Sequence, residues 1–223
     1  MANTGKADIL DNEAKEAQIT VERGANIRNT TRNITLAALS RGQLDTEGTK
    51  RVVRAVMQGA SLGVNKAGDK SRQALNEALA GIDDALAKSA EATKLAVEEA
   101  SGRLQDYGKR DLERAFNDLR ALEAMFLETL KDVTDHSADT AKQILQDLLH
   151  HARDSGTNAG STASAAIATL EKKLGRTLRE VAAAGADAAL NTGSNLAEAA
   201  AGFLAGIAET LHAKADSMHQ EKK

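Results

Sequence analysis

The sequence predicts an all-α protein, and three observations lead to that fold class. Apolar side chains recur every three or four residues along most of the chain, which is the period of an amphipathic helix. Proline, which costs about 3 kcal/mol inside a helix, is absent. There is no tryptophan and there are only three phenylalanines and one tyrosine, so a core of Leu, Val, Ile and Ala should form a thin seam between helices. We therefore expect long amphipathic helices that form an antiparallel hairpin or bundle, or an extended coiled coil.

Residues 1–68 are predicted to form an N-terminal helical segment. Its first helix spans residues 7–23, and a short apolar patch follows at 34–39. Asp45 or Thr46 is a suitable N-cap for a second, strongly amphipathic helix, because a short polar side chain there accepts hydrogen bonds from the first turn. The apolar face of that helix consists of Val52, Val53, Val56, Met57, Ala60 and Leu62.

Three glycines follow this apolar face, at positions 59, 63 and 68. Each glycine costs about 1 kcal/mol against alanine in a helix, so the favoured interpretation is that they weaken and end it. The alternative is that Gly59 and Gly63, four residues apart, form a flat strip for close contact with another helix.

Residues 69–154 are predicted to form a central long-helix hairpin. One apolar stripe runs through it almost without a gap and is interrupted only at residues 106–111, where Gly108 could end one helix and Asp111 could begin the next. An unbroken helix of about 85 residues would be a rod of roughly 125 Å. We favour two antiparallel helices, because folding back lets the two stripes bury each other.

The remainder of the chain divides at a polar stretch. Residues 155–161 are predicted to be a Gly/Ser linker, and residues 162–223 to hold two Ala/Gly-rich helices, at 162–190 and 195–218. Within the last helix, Gly202 and Gly206 are four residues apart in an apolar decamer. The glycines either pack tightly within a bundle or form a face that contacts a membrane, a polymer surface or another copy of the chain.

The candidate interaction residues lie on these two features. They are Leu112, Phe116, Leu119, Phe126 and Leu130 on the central stripe and Gly202, Phe203 and Gly206 in the last helix.

The sequence shows no sign of catalysis, of a cofactor site or of a small-molecule substrate. Without cysteine there is no thiol chemistry, and neither nucleophile motifs nor phosphate-binding glycine patterns occur. Asp132 with His136 and Asp147 with His151 have a spacing that metal ligands use, but both pairs lie off the apolar stripe. We interpret them as solvated surface pairs, and we expect neither an enzyme nor a metal site.

Charge and segment composition narrow the partners and the location. The net charge is −3, and residues 71–155 carry 11 Lys and Arg against 17 Asp and Glu. An acidic helical rod repels nucleic acid, so we expect no nucleic-acid partner. Because no secretory signal and no long uncharged apolar segment is visible, the expected location is the cytoplasm.

Residues 85–130 read ALAKSAEATKLAVEEASGRLQDYGKRDLERAFNDLRALEAMFLETL. This stretch resembles phasins, the small helical proteins that coat bacterial polyhydroxyalkanoate granules. The resemblance lies in the Ala-rich amphipathic helices, the lack of Cys and Trp, and an acidic run followed by a polar turn. It implies no catalytic residues.

Two functions follow as hypotheses. In the first, the amphipathic helices coat or bind a hydrophobic surface, either a storage granule or lipid, as phasins do. In the second, the same stripe is buried between copies of a self-associating helical scaffold or coiled-coil assembly protein. Both hypotheses include a homo-oligomer, and the first adds the granule or lipid surface as a partner.

Overall fold

The structure is a computed structural model that describes residues 4–41, 45–101, 109–183 and 199–206. These ranges contain seven α-helices and two 3-10 turns, Val64–Lys66 and Gly68–Lys70, and they contain no β-strand. The prediction of an all-α protein is confirmed. The helices are α1 (Thr4–Arg23), α2 (Ile27–Arg41), α3 (Thr46–Gly63), α4 (Ser71–Ser101), α5 (Lys109–His136), α6 (Asp139–Ser155) and α7 (Asn158–Ala183). Residues 199–206 are also helical.

Helix α2 is longer than the apolar patch from which it was inferred. It begins at Ile27, directly after a turn in which Gly24 and Asn26 have φ angles of 69° and 52°. One face of its polar part is in the interior, because Thr31 and Thr35 are both buried and the Thr35 hydroxyl donates to the Thr31 carbonyl at 2.8 Å, whereas Arg28 and Asn29 are exposed. Because the first half of α2 is polar, the apolar pattern of the sequence indicated only its second half.

The N-cap of α3 and the positions of its glycines agree with the predictions from the sequence. Asp45 is the N-cap, since its side chain accepts a hydrogen bond from the Gly48 amide. Helix α3 ends at Gly63, but α1 also packs tightly against it: a Cβ added to Gly59 would lie 1.9 Å from the Ala14 carbonyl oxygen. Both interpretations of the glycines therefore hold in part, and close helix contact is the one that determines the packing.

The central region differs from the predicted hairpin in its partners. Its helices α4 and α5 are separate, and the interruption at 102–108 lies outside the described residues. Helix α4 packs mainly on α2 and α7, and α5 packs mainly on α3, α7 and α6, so the expectation that the two stripes bury chiefly each other is wrong. The flanking helices carry their own apolar stripes and compete for the same surfaces.

The alternative of one unbroken rod is also wrong, and so is the expectation of one long helix in the second half of the predicted hairpin. Helix α5 ends at His136, Ala138 is extended, and α6 begins at Asp139. The Ser137 hydroxyl donates to the Val133 carbonyl at the end of α5, which helps to satisfy one of its last acceptors. Ser137 and Asp139 are residues that favour helix ends, and this signal was present in the sequence.

One hydrophobic cluster joins the helices. It extends from Ala17 in α1 to Leu204 near the end of the described chain, and so draws on all three predicted helical segments. Alanine is the most frequent residue in this buried core, followed by leucine and valine. The core is therefore made of many small contacts.

Candidate interaction surface

Four of the predicted interaction residues on the central stripe are core residues. Phe116, Leu119, Phe126 and Leu130 are between 1% and 8% exposed and belong to the hydrophobic cluster. Leu112 lies in α5, and its side chain is outside the part of the chain that the structure describes. The four buried side chains are available to a partner only when the bundle opens.

The C-terminal candidates lie on the outside. In the helical segment 199–206, Ala200 and Leu204 are buried, whereas Gly202 and Gly206 are exposed and Phe203 is 38% exposed. Among the described residues, no atom lies within 4 Å of a Cβ added to Gly202. The same holds for a Cβ added to Gly206, so both glycines have open space beside them within the described residues. We call the exposed side of this segment the Phe203 face.

Two more large apolar side chains are exposed. Leu62 is 58% exposed and Leu95 is 40% exposed. Leu62 was predicted to lie on the buried face of α3, but helix geometry puts it about 180° around α3 from the buried Val53, so it points outward. Leu95 falls between the stripe positions Thr93 and Val97, and that offset was the available signal that it points away from the core.

The first turn of α7 is held by carboxylates from two other helices. Asp83 of α4 accepts hydrogen bonds from the amides of Asn158 and Ala159, both at 2.8 Å. Glu123 of α5 accepts from the amide and the hydroxyl of Thr157, both at 3.0 Å. Backbone amides at a helix N-terminus carry partial positive charge, so carboxylates suit them well. We call Asp83 and Glu123 the carboxylate clamp.

This clamp corrects the predicted linker at 155–161. Only Gly156 and Thr157 lie outside the helices, and α7 begins at Asn158. The Thr157 hydroxyl accepts a hydrogen bond from the Gly160 amide at 2.9 Å, as an N-cap does. A Cβ on Gly160 would lie 2.3 Å from the Glu123 carboxyl carbon, so its absence leaves room for the clamp. Composition that suggested a linker therefore reflects a capped helix start.

The predicted carboxylate–histidine pairs lie on the surface, and His136 Nδ1 is 3.8 Å from Asp132 Oδ1. In both, the carboxylate binds an arginine of another helix, at 2.6 Å in Arg54–Asp132 and 2.5 Å in Arg72–Asp147. His136 Nδ1 lies 2.7 Å from the backbone oxygen of Asp132. Within the described ranges, no group of three or more His, Asp or Glu residues is arranged to hold a metal ion.

A family model for a family of unknown function, DUF6781, matches residues 3–213. The chain belongs to this family. No curated protein and no solved structure matches the chain.

Nothing in the described part of this DUF6781 chain is suited to crossing a bilayer, because no helix there is both long and apolar enough.

Asp118 provides a test of how the α3–α5 contact is built. Its carboxylate accepts a hydrogen bond from the Thr46 hydroxyl at 2.6 Å, beside a cavity of about 30 Å³. Burial raises the pKa of Asp118 above its usual 3.8; the hydrogen bond from Thr46 opposes this shift, and the charge of Asp45 adds to it. The folded protein therefore binds the proton of the Asp118 carboxyl more tightly than the unfolded protein does. This proton binding adds to the free energy of unfolding at low pH, and the added stability is lost as the pH rises through the pKa of the folded state.

We expect Asp118→Asn to remove this pH dependence, because an amide keeps an oxygen for Thr46 and carries no charge. The free energy of unfolding of both proteins, measured in urea between about pH 3 and pH 7, checks this. The variant should gain stability relative to the wild type as pH rises, and the difference should then level off. A difference that is constant over the whole range would contradict the assignment.

Proposed function

We propose that the protein is a non-enzymatic amphipathic helical protein of the cytoplasm that coats or binds a hydrophobic surface, a storage granule or lipid, in the manner of phasins. The observation that carries the proposal is the alanine-rich core, in which the apolar stripes of the helices face one another. Rotating or separating the same helices would turn these stripes outward without changing their secondary structure.

Opening such a core is less costly per helix than opening one built from large side chains. Burial of apolar surface stabilises by roughly 25 cal/mol per Å², and an alanine methyl contributes a small area. A hydrophobic surface would bury the exposed stripes again, and this burial would offset most of the free energy that is lost when the core opens. The larger buried side chains, such as Leu86 and Leu130, then set most of the cost of opening.

The Phe203 face supports a first contact before the bundle opens. Phe203 is exposed in the closed bundle, while Ala200 and Leu204 anchor its helix to the core. The flanking glycines add no side chains, so the ring can approach a flat surface closely.

Flotation with neutral-lipid droplets and with polyester particles tests this function. We expect the wild type to float, and Phe203→Ser to weaken binding about fivefold, since about 1 kcal/mol of ring burial is lost. Leu62→Ser, a substitution at another exposed apolar residue, is the matched control and should bind as the wild type does. Wild-type protein that stays wholly in the aqueous fraction would rule the function out.

Self-association is the second candidate, and the same face favours it. Gly202 and Gly206 are four residues apart, exposed and next to Phe203, which is the arrangement that lets two helices approach closely. Gly202→Leu separates the two candidates, because a bulky side chain blocks close approach of two helices but adds apolar area for a surface. Light scattering at micromolar concentration should show an oligomer that Gly202→Leu dissociates; a wild-type monomer would end this candidate.

A further inference from the structure

Helix α7 is packed on the bundle mainly through small side chains. Over its first four turns, the side chains that are fully buried are those of Ala159, Ala163, Ala166 and Leu170. It contacts α4 and α5. Over these four turns, Leu170 and the partly buried Ile167 are the large apolar side chains that pack on the core, so apolar contact contributes less there than in a leucine-lined helix.

Polar contacts fix both ends of this stretch to α4, so the two helices run parallel. At the beginning, the Asn158 and Ala159 amides bind Asp83; about four turns later, Lys173 Nζ lies 2.8 Å from Glu98 Oε1. In the second contact, Lys173 is 60% exposed and Glu98 is 22% exposed, so solvent screens this ion pair in part. The carboxylate clamp holds the beginning of α7 through four hydrogen bonds, three of them from backbone amides.

Gly156, which directly precedes the clamped residues, forms a natural hinge. Gly156 has φ 75° and ψ 177°, a conformation that residues with side chains rarely adopt, and Thr157 is the only other non-helical residue of the junction. Helix α6 on the other side has its own anchors in the core, Ile144, Leu145 and Leu149. Movement about this junction would shift α7 and leave α6 in place.

We propose that α7 is a strap, latched by Asp83 and Glu123, that leaves the bundle to admit a neutral apolar surface between α4 and α5. This inference rests on the proposed function and names the step that opens the bundle. Between Asp83 and Glu98, the two points where α7 is fixed, α4 carries the buried side chains of Leu86, Ala90 and Val97. On α5, the buried Phe116, Leu119 and Leu122 lie close to the contacts of Arg120 and Glu123 with α7.

The charges around the clamp indicate why the surface should be neutral. Asp84 lies beside Asp83 and binds Arg28 through two hydrogen bonds, at 2.7 and 2.9 Å. When α7 leaves, Asp83 and Glu123 lose the amides that partly balance their charge. Three carboxylates then remain near Arg28 and near Arg120, which has lost Glu171, so the site keeps an excess of negative charge. Such a site repels anionic headgroups and tolerates a neutral surface.

Hydrogen exchange on the full-length protein tests the latch directly. In Asp83→Ala/Glu123→Ala, amides of residues 158–173 should exchange at least about tenfold faster than in the wild type, while amides of α3 keep their rates. Asp83→Asn, which keeps one of two acceptors, should give a smaller effect in the same direction. Glu171→Ala, which removes the exposed pair with Arg120, is the control on α7 and should change nothing. Unchanged exchange of α7, or an equal acceleration of α3, overturns the strap.

Flotation of the same variants separates the strap from the proposed function. With neutral-lipid droplets, the double variant should bind faster than the wild type, and anionic vesicles should capture both proteins less well. If the exchange result holds but neither protein floats, Asp83 and Glu123 latch α7, but surface coating and the entry of an apolar surface both fail. If the wild type floats and the double variant gains nothing, coating stands and the strap is not its opening step.

Discussion

Gly59→Ala is expected to destabilise the protein by about 2 kcal/mol or more, although alanine is the better helix former. Placing a Cβ there puts it 1.9 Å from the Ala14 carbonyl oxygen and 2.8 Å from the Ala14 Cα. Backbone atoms of a packed helix cannot turn aside as a flexible side chain can, so α1 has to move away from α3. Overpacking of this kind costs about 3 kcal/mol, against a gain of about 1 kcal/mol in helix propensity.

Gly202→Ala is the matched control, because it is the same substitution in a helix with open space around the glycine. No described atom lies within 4 Å of the added Cβ, so only the propensity gain of up to about 1 kcal/mol remains. Urea unfolding of the two variants should therefore give changes of opposite sign. If Gly59→Ala were as stabilising as Gly202→Ala, the close contact between α1 and α3 would not exist in solution.

Local signals in the sequence predicted the helices well, because helix formation depends on neighbours along the chain. The 3.6-residue period located the buried faces of α4 and α5, and Asp45 marked the beginning of α3. The spacing of Gly59 and Gly63 identified a position where two helices could approach closely.

The pairing of helices could not be predicted in the same way. A period shows which face of a helix is buried but not what covers it, so the stripes of α4 and α5 were assigned to each other instead of to α2, α3 and α7. The contacts that decide the pairing join distant positions. The Ala159 amide and Asp83, for example, are 76 residues apart, and neither residue type is unusual where it stands.

Some of the candidate interaction residues were also predictable from the sequence, but their exposure was not. Periodicity marked Phe126 and Leu130 as important, but a stripe buried in a core and a stripe used by a partner have the same pattern. Phe203 was identified by the composition of the segment around it, because an apolar segment rich in glycine and alanine suits close contact. Its exposure depends on how Ala200 and Leu204 anchor the segment, and this is a property of the packed protein.

Leu130→Ala is expected to lower the free energy of unfolding by about 2–5 kcal/mol, because Leu130, near the C-terminal end of α5, is 1% exposed. Part of this loss is the transfer of the side chain out of water, and part is the cavity that its removal leaves in a close-packed interior. Urea unfolding measures the sum. Leu62→Ala, at a leucine that is 58% exposed, should stay within about 0.5 kcal/mol of the wild type.

The two parts of that loss also distinguish an opened from a closed surface-bound state. If the bundle opens on a hydrophobic surface, the transfer term applies to the bound and the free protein alike, because Leu130 is buried in both. The cavity term applies to the closed bundle alone, so Leu130→Ala should bind droplets faster than the wild type although it is less stable. If the closed bundle binds through the Phe203 face alone, Leu130→Ala should bind at the wild-type rate, and only Phe203→Ser should slow binding.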